Sequence, residues 1–298
     1  AAFTQTALFR GWLRAELVAR LNAALAVRVA LGGLEGDLFR RLVLTDVRIT
    51  LEGARVIAAR RVVADYDLAT LLTRRRVRLT AVTVDGLALR LAEDDRGWNV
   101  KRLGGPPRET PPEEGRRWEV VLERVRIQGG ALKIVRPRTV WGFRDLAVAG
   151  AAELASSGQR ITLAALSGTL ARRALSIENL SGRLVVAAGG TLAADDVTLR
   201  TGASSLHGHA RVGSGAAAEY DIGAEITQLS AAEIRRLTGA TLPLADFSGT
   251  LRARGPAAAV VLEAALASTA GEIGVGGSVD LARVPPAYDL AATLTHLD

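Results

Sequence analysis

The sequence contains no cysteine, and this absence removes several kinds of site at once. Disulfide scaffolds, thiolate nucleophiles and Cys-ligated zinc or iron–sulfur centres all need a cysteine thiol. Methionine is absent too, even at position 1, so we expect the natural start of the protein to be missing. Aromatic residues are only 4% although 49% of residues are apolar, which excludes a disordered tail and favours broad aliphatic surfaces.

Positive charge is concentrated in the first half of the chain. The net charge is +7, but residues 1–150 carry 27 Lys/Arg against 17 Asp/Glu, while residues 151–298 carry 11 against 14. A basic half is typical of proteins that bind nucleic acid or an anionic membrane surface. Clusters such as Arg74-Arg75-Arg76 lack the aromatic interleaving of single-strand binders, so we expect no nucleic-acid partner. A solvated strand face is the favoured interpretation.

An amphipathic helix is predicted near the start, within an N-terminal segment 1–30. Apolar residues at helical spacing lie along one side of residues 6–27: Leu8, Phe9, Trp12, Leu13, Leu17, Leu21 and Leu25. No run of 18 apolar residues occurs, so nothing in the sequence predicts a membrane-spanning helix. The helix could lie in a membrane interface, or it could cap a β structure by packing on the first strands. We favour the cap.

The periodicity becomes alternating after Gly32-Gly33 and stays so for most of the chain, which predicts strands with one apolar face. We expect a first β-repeat region over 31–103, a flexible, turn-rich loop over 104–116, and a continuing β-repeat array over 117–298. The alternation is clear where Leu87, Leu89 and Leu91 stand between Ala88, Arg90 and Ala92.

A short motif, L-x-x-V-x-[IV], occurs three times within this alternation. Its copies begin at Leu44, Leu79 and Leu122. Leu and Val are three residues apart, an odd step that puts them on opposite faces of a regular strand. Keeping both on one face requires a β-bulge or a short corner between them, so three copies predict a built-in bend.

Longer repeats indicate a stacked structural unit and argue against a single catalytic motif. Ser-Gly-x-Leu occurs at Ser167, Ser181 and Ser248, where it predicts a turn or bulge between strands. The stretch 220–230 resembles 288–298, a displacement of 68 residues that indicates a unit of several strands. The first copy runs into Ser230-Ala-Ala-Glu233, a capping-box pattern that predicts a short helix through Thr238. We expect the natural protein to continue beyond Asp298.

No candidate catalytic machinery is present, so we expect no enzyme activity, no metal and no cofactor. His207 and His209 share a strand face, but no nearby carboxylate completes a recognisable metal site. The carboxylate pairs fall in predicted turns, where nothing in the sequence would raise a pKa for acid–base work.

An ordered set of motifs resembles the amino-terminal end of AsmA-like and TamB-like envelope proteins. The set runs from Leu34-Glu-Gly-Asp-Leu-Phe, through Leu44-Thr-Asp-Val-Arg-Ile, Asp65-Tyr-Asp-Leu, Val77-Arg-Leu and Val82-Thr-Val-Asp-Gly-Leu, to Arg96-Gly-Trp-Asn-Val100. The resemblance covers about the first third of the chain, and the expected membrane anchor is not in the sequence. It implies a mostly β fold: a repetitive, twisted antiparallel sheet curled into an elongated groove. It also implies a periplasmic protein anchored in the inner membrane, with a role in moving phospholipid toward the outer membrane or in outer-membrane assembly.

The residues alone allow two ways for such a sheet to cover its apolar face. It could form a filled sandwich or barrel, or a trough that holds an apolar guest. The trough predicts a lipid conduit whose acyl-chain contacts are Val47, Ile49, Val82, Val84, Leu87, Leu89, Leu91, Val125, Ile127, Leu132 and Ile134. Its partners would be phospholipid and the inner membrane. The alternative is an envelope scaffold that binds an outer-membrane protein through its edge strands.

Overall fold

A computed structural model describes residues 7–24, 26–37, 40–67, 76–103, 119–137, 139–155, 157–214, 218–239, 246–283 and 286–295. Most of these residues lie in strands, and the pairing is antiparallel with two exceptions, which confirms the predicted mostly β class with an N-terminal helix. The predicted loop over 104–116 lies outside the described residues. The chain divides into unit 1 (Ala1–Ala155 and Gly168–Arg172) and unit 2 (Ser156–Ser167 and Arg173–Asp298).

Unit 1 consists of one helix followed by strands. Its elements are α1 (Ala7–Ala24), β1 (Arg28–Ala30), β2 (Gly33–Asp37), β3 (Arg41–Leu51), β4 (Ala54–Tyr66), β5 (Arg76–Asp85), β6 (Ala88–Asp94), β7 (Gly97–Trp98), a 3-10 helix (Asn99–Arg102), β8 (Glu119–Arg136) and β9 (Thr139–Ala155). Strands β1 and β2 both pair with β3 in one continuous register, and β5 and β6 likewise share a register against β4. Each of these pairs of strands is therefore one interrupted strand.

The two exceptions to antiparallel pairing are β5 and β6, which both run parallel to β8. A parallel neighbour needs a crossover of a dozen or more residues, and the chain from Asp94 to Glu119 is long enough to make one. The sheet is otherwise antiparallel, as predicted, and these two parallel pairings are a feature that the sequence pattern did not reveal.

Helix α1 is held to the first strands by polar groups. The Asn22 side chain accepts a hydrogen bond from Val29 N (2.6 Å) and donates one to Val29 O (3.3 Å), while Arg14 Nη1 donates to Gly32 O (2.7 Å). Trp12 is 59% exposed, so this member of the predicted apolar stripe does not pack into the strands. The apolar pattern of the helix sequence does not reveal these polar contacts.

Unit 2 is a run of strands interrupted by one short helix. Its elements are β10 (Gly158–Leu170, whose last three residues belong to unit 1), β11 (Leu175–Ala187), β12 (Leu192–Thr201), β13 (Ser205–Val212), β14 (Glu219–Leu229), α2 (Ala231–Thr238), β15 (Phe247–Pro256), β16 (Val260–Ser268), β17 (Gly271–Asp280) and β18 (Ala287–Thr295). From β11 onward, each strand pairs antiparallel with the next. The described parts of the similar stretches fall on β14 and β18, and two of the Ser-Gly copies fall on β11 and β15, so the repeating unit is four strands.

The Ser-Gly pairs lie inside strands β10, β11 and β15, so a turn is the wrong interpretation at all three. The pairing of β11 with β12 shifts register between Ser181 and Arg183, where Gly182 alone stands opposite Asp196 and Val197, so the bulge at this copy lies on the partner strand β12. The three glycines share a close approach by a neighbouring strand: a Cβ on Gly168 would lie 2.7 Å from Leu146 Cδ2, and one on Gly249 would overlap the Ala265 carbonyl oxygen. A close approach by the neighbouring strand therefore recurs at all three copies, and at Gly249 it leaves no room for a side chain.

Helix α2 confirms the predicted helix, but the predicted capping box is wrong. The Ser230 side chain makes no capping hydrogen bond. Glu233 is buried, and its Oε2 accepts hydrogen bonds from Thr201 Oγ1 (2.5 Å) and Ser204 Oγ (2.6 Å). Ser204 Oγ in turn accepts a hydrogen bond from Ser230 N (3.0 Å). The Glu233 carboxylate therefore connects α2 to the β12–β13 turn. Because this contact joins residues far apart in the sequence, local spacing does not reveal it.

Replacing Gly249 by Ala tests the close-approach account. Gly249 has a φ of +148°, and an added Cβ meets backbone, so the Gly249→Ala variant should lose about 2 kcal/mol or more of the free energy of unfolding. Gly274→Ala is the control, because nothing lies within 4 Å of its added Cβ. Urea denaturation that gives equal losses for the two variants would contradict the account.

Candidate functional site

Two rows of apolar side chains cross the sheet of unit 1. Residues directly opposite each other on paired strands share a face of the sheet. The first row is Val29, Ile49, Ile57, Leu89, Leu132 and Phe143. The second row is Leu34, Leu44, Val62, Val84, Ile127 and Val148. Val29 and Leu34 are buried, and the other ten residues are half-buried.

On every strand that the two rows cross, the two row residues lie five positions apart in the sequence. Five is an odd step, so a regular strand would place the rows on opposite faces. On four of the strands a residue with left-handed φ lies between the rows: Asp46 (φ 49°), Gly86 (63°), Gly129 (57°) and Asp145 (54°). Such a residue interrupts the alternation and bends the strand.

The burial pattern places both rows on one face. Two consecutive residues are exposed between the rows at Arg60-Arg61, at Gln128-Gly129 and at Arg144-Asp145. A regular half-buried strand exposes every second residue, so each exposed pair marks a reversal of the alternation. Because paired residues share a face, the reversal on these three strands puts both rows on one apolar face across the paired strands.

The predicted bend in L-x-x-V is confirmed in two copies and arises differently in the third. The pairing of β4 with β5 shifts register between Asp65 and Tyr66, which lie opposite the Leu79 copy. The pairing of β8 with β9 shifts register within the third copy, between Leu122 and Val125. In the Leu44 copy the register against β4 is unchanged on both sides of Asp46. There the left-handed conformation of Asp46 reverses the alternation without an extra residue.

All eleven predicted lipid-contact positions are half-buried. Five of them belong to the two rows: Ile49, Val84, Leu89, Ile127 and Leu132. Leu91 pairs with Ile134, which pairs with Trp141, and Val82 pairs with Val125. Val47 pairs with Ala59, and Leu87 lies in the short link between β5 and β6.

Several members of the rows were missed by the sequence analysis, among them Ile57, Val62, Phe143 and Val148. The missed signal was the spacing of five residues, which recurs at Ile57/Val62 and at Phe143/Val148. Unit 2 holds a further missed row, which crosses eight strands through Leu180, Leu199, Leu206, Ile226, Gly249, Leu266, Ile273 and Leu294.

Among the described residues of unit 1, the apolar face is fully buried at the end formed by the first strands. The buried cluster is Val27, Val29, Leu51 and Val56, with Leu103 packed against it. Farther along the face, the row residues on β4 to β9 remain half-buried. A cavity of about 390 Å³ opens beside Leu89 and Leu132, and Val56 and Phe143 also line it. The structure therefore brings two of the predicted contact residues to one apolar cavity.

Comparison with known proteins gives no identification. No family model, curated protein or solved structure matches the chain. Among the described residues, no helix combines the length and the apolar character needed to cross a membrane.

The histidine pair lies on β13 among polar neighbours. His207 Nδ1 is 3.1 Å from Thr198 Oγ1, and His209 Nε2 is 3.8 Å from Asp221 Oδ1. No group of three His, Asp or Glu side chains in the described part of the chain is placed to hold a metal ion.

An ionic network joins the β3–β4 turn to the β6–β7 turn. Arg96 donates to both carboxylate oxygens of Glu52 (2.9 and 2.7 Å), and Arg102 donates to Asp94 Oδ2 (2.7 Å). The hydrogen bonds from Arg96 hold the pKa of Glu52 below its ordinary value. Desolvation opposes the shift at Asp94, but hydrogen bonds from the Arg96 backbone and the Arg102 side chain still lower the pKa of this carboxyl.

These lowered pKa values predict a loss of stability in acid. A carboxyl whose pKa is lower in the folded state stabilises the fold above its unfolded pKa, about 4, and loses that effect as pH falls through the folded value. The Tm difference between the wild type and Glu52→Gln should therefore shrink as the pH falls from 6 toward 2. Glu35→Gln is the control, because Glu35 is exposed and has no ion pair among the described residues. A Tm difference that is constant over this range would show that the network contributes no pH dependence.

Proposed function

We propose that this chain is part of a non-enzymatic lipid conduit, in which phospholipid acyl chains lie against the apolar face of the bent sheet. The observation that carries the proposal is that ten of the twelve row residues in unit 1 are only half-buried. The resemblance to AsmA-like and TamB-like proteins supports a periplasmic location, attachment to the inner membrane, and movement of phospholipid between the inner and outer membranes.

The dimensions of the face suit acyl chains. Five residues of strand span about 16 Å at about 3.3 Å per residue, close to one leaflet's share of a hydrocarbon core about 30 Å thick. Six strands spaced about 4.8 Å apart carry the rows over a distance of about 24 Å. Complete burial of an exposed Leu or Ile side chain contributes about 1.5–3 kcal/mol, and each half-buried row residue would supply a part of that free energy when an acyl chain covers it.

A charge placed on the face tests the proposal. In the variant Leu89→Asp, binding of a fluorescent phospholipid should be lost, because a carboxylate in the cavity repels acyl chains. The free energy of unfolding should fall by less than about 2 kcal/mol, because a half-buried carboxylate keeps contact with water.

The matched control is Arg126→Asp on β8, where the native side chain is exposed. It should leave phospholipid binding unchanged. If Leu89→Asp instead unfolds the protein by several kcal/mol, the expected cost of an unpaired buried charge, the face is a closed core and the conduit proposal fails.

A second candidate function is a scaffold that binds an outer-membrane protein by adding one of its strands to β18. Within unit 2, β18 pairs only with β17. Tyr288 is 76% exposed and Leu294 is 52% exposed, so this strand presents an apolar surface. An extended segment of a partner can hydrogen-bond to such an edge.

Photo-crosslinking in cells separates the two functions. A crosslinking residue at Ile127 should give lipid adducts if the chain is a conduit. A crosslinking residue at Tyr288 that gives protein adducts, together with no lipid adduct from Ile127, would favour the scaffold.

A further inference from the structure

The sheet of unit 1 has an outer face, opposite the apolar rows, and one part of this face is strongly basic. Side chains alternate along a strand, so the residues on either side of a first-row residue lie on the outer face. Burial agrees with this assignment on β8, where exposed Ala131 and Lys133 stand on either side of half-buried Leu132. The outer face beside the first row can therefore be read from the strand pairing.

Two cross-strand rows make up this part of the outer face. On β6, Leu89 pairs with Ile57, so Arg90 lies level with the two residues that precede Ile57. The first outer row is therefore Arg28, Thr50, Arg55, Arg90, Lys133 and Gly142. The second outer row is Ala30, Arg48, Ala58, Ala88 and Ala131. Five of these eleven residues are basic, and the other six are alanine, threonine or glycine.

The five basic residues form a cationic belt, which we define as Arg28, Arg48, Arg55, Arg90 and Lys133. All five are exposed. They come from β1, β3, β4, β6 and β8, which are five neighbouring strands. At a strand spacing of about 4.8 Å, the belt extends over about 19 Å. Because the other residues of the two outer rows are small, the belt is broad and no bulky side chain of these rows stands between its cations.

Two cations of the belt are direct cross-strand neighbours. Arg90 lies opposite Lys133 in the parallel pairing of β6 with β8. Like charges at such positions repel each other and destabilise the sheet. An anionic surface placed against the belt would offset this repulsion, because each cation would then face negative charge.

The carboxylates at the turn end of these strands already bond to arginines outside the belt. Arg96 donates hydrogen bonds to both carboxylate oxygens of Glu52, and Arg102 donates one to Asp94. Their negative charge is therefore balanced largely by Arg96 and Arg102, and the belt keeps its positive charge.

We propose that the cationic belt docks unit 1 on the surface of a membrane that contains anionic phospholipids. Such a surface presents a flat array of phosphates, and each Lys or Arg near it strengthens binding. A broad, exposed group of cations on a sheet face fits this geometry. Single-stranded nucleic acid fits less well, because its binders stack bases on aromatic side chains and neither outer row contains one.

This inference goes beyond the proposed function and does not rest on it. The belt lies on the face opposite the apolar rows, so a membrane bound to the belt leaves the apolar face free for acyl chains. The belt needs only exposed positive charge, whereas the conduit needs incomplete cover of the apolar face. Either one can therefore fail without the other.

Co-sedimentation of the full chain with lipid vesicles tests the proposal. Vesicles that contain about one-third phosphatidylglycerol in phosphatidylcholine should bind the chain at least about tenfold more tightly than vesicles of phosphatidylcholine alone. Raising the ionic strength from about 0.1 M to about 1 M shortens the Debye length from about 10 Å to about 3 Å and should remove this difference. Equal binding to both kinds of vesicle at low salt would overturn the proposal.

A charge-matched pair of double variants locates the effect in the belt. Each cation near an anionic membrane contributes about a fivefold gain in affinity, so Arg90→Gln/Lys133→Gln should bind anionic vesicles at least about tenfold more weakly. The control Arg61→Gln/Arg126→Gln removes the same charge from exposed positions outside the two outer rows, and should lose less than about threefold. Equal losses would show that net charge, and not the belt, attracts the membrane.

A second belt variant covers the case in which the first one does not fold, as judged by far-UV circular dichroism. Arg28→Gln/Arg48→Gln removes two exposed cations from the same belt and should give a similar loss of binding to anionic vesicles. If this folded variant binds them as tightly as the wild type, the belt is not the docking surface.

Two further measurements separate this inference from its alternatives. Tighter binding to duplex DNA or RNA than to anionic vesicles, at the same salt concentration, would overturn the membrane as partner and indicate a nucleic-acid surface. The belt variant Arg90→Gln/Lys133→Gln should still bind a fluorescent phospholipid in solution, while Leu89→Asp should still dock on anionic vesicles. Loss of vesicle docking in Leu89→Asp would show that docking depends on the apolar face and would overturn the role of the belt.

Discussion

The central constraint on unit 1 is that each strand must hold two apolar residues five positions apart on one face. A regular strand cannot do so, because five is odd and side chains alternate. The chain meets the constraint by reversing the alternation between the two rows, with left-handed Asp or Gly on four strands and with Arg60-Arg61 on β4. Asp and Gly are residue types that tolerate this backbone conformation. The reversal leaves the aliphatic rows together on one face, while the exposed pairs between them, such as Arg60-Arg61 and Arg144-Asp145, face solvent.

Incomplete cover of that apolar face connects the fold to the proposed function. The buried cluster around Val29 and Val56 closes one end, while the rest of the face stays half-buried. Aliphatic area left partly in water is unfavourable, and a bound acyl chain would remove it from water.

Local sequence pattern predicted those features that depend on neighbouring residues. The β class, the half-buried positions from Leu87 to Leu91, the extent of α2 and the bend in two L-x-x-V copies follow from spacing alone. Contacts between distant segments could not be predicted in this way. The parallel pairing of β5 and β6 with β8 depends on a crossover, and the partners of Glu233 lie 29 and 32 residues away. Ser-Gly was assigned to turns because the approach of a neighbouring strand to Gly249 leaves no trace in the local sequence.

Native mass spectrometry of the chain, purified gently from a bacterial envelope, tests most directly whether the apolar face holds lipid. The account predicts protein ions heavier than the bare chain by the mass of one or more phospholipids, with the extra mass removed by organic extraction. A folded chain that appears only at its bare mass, before and after incubation with phospholipid, would contradict it.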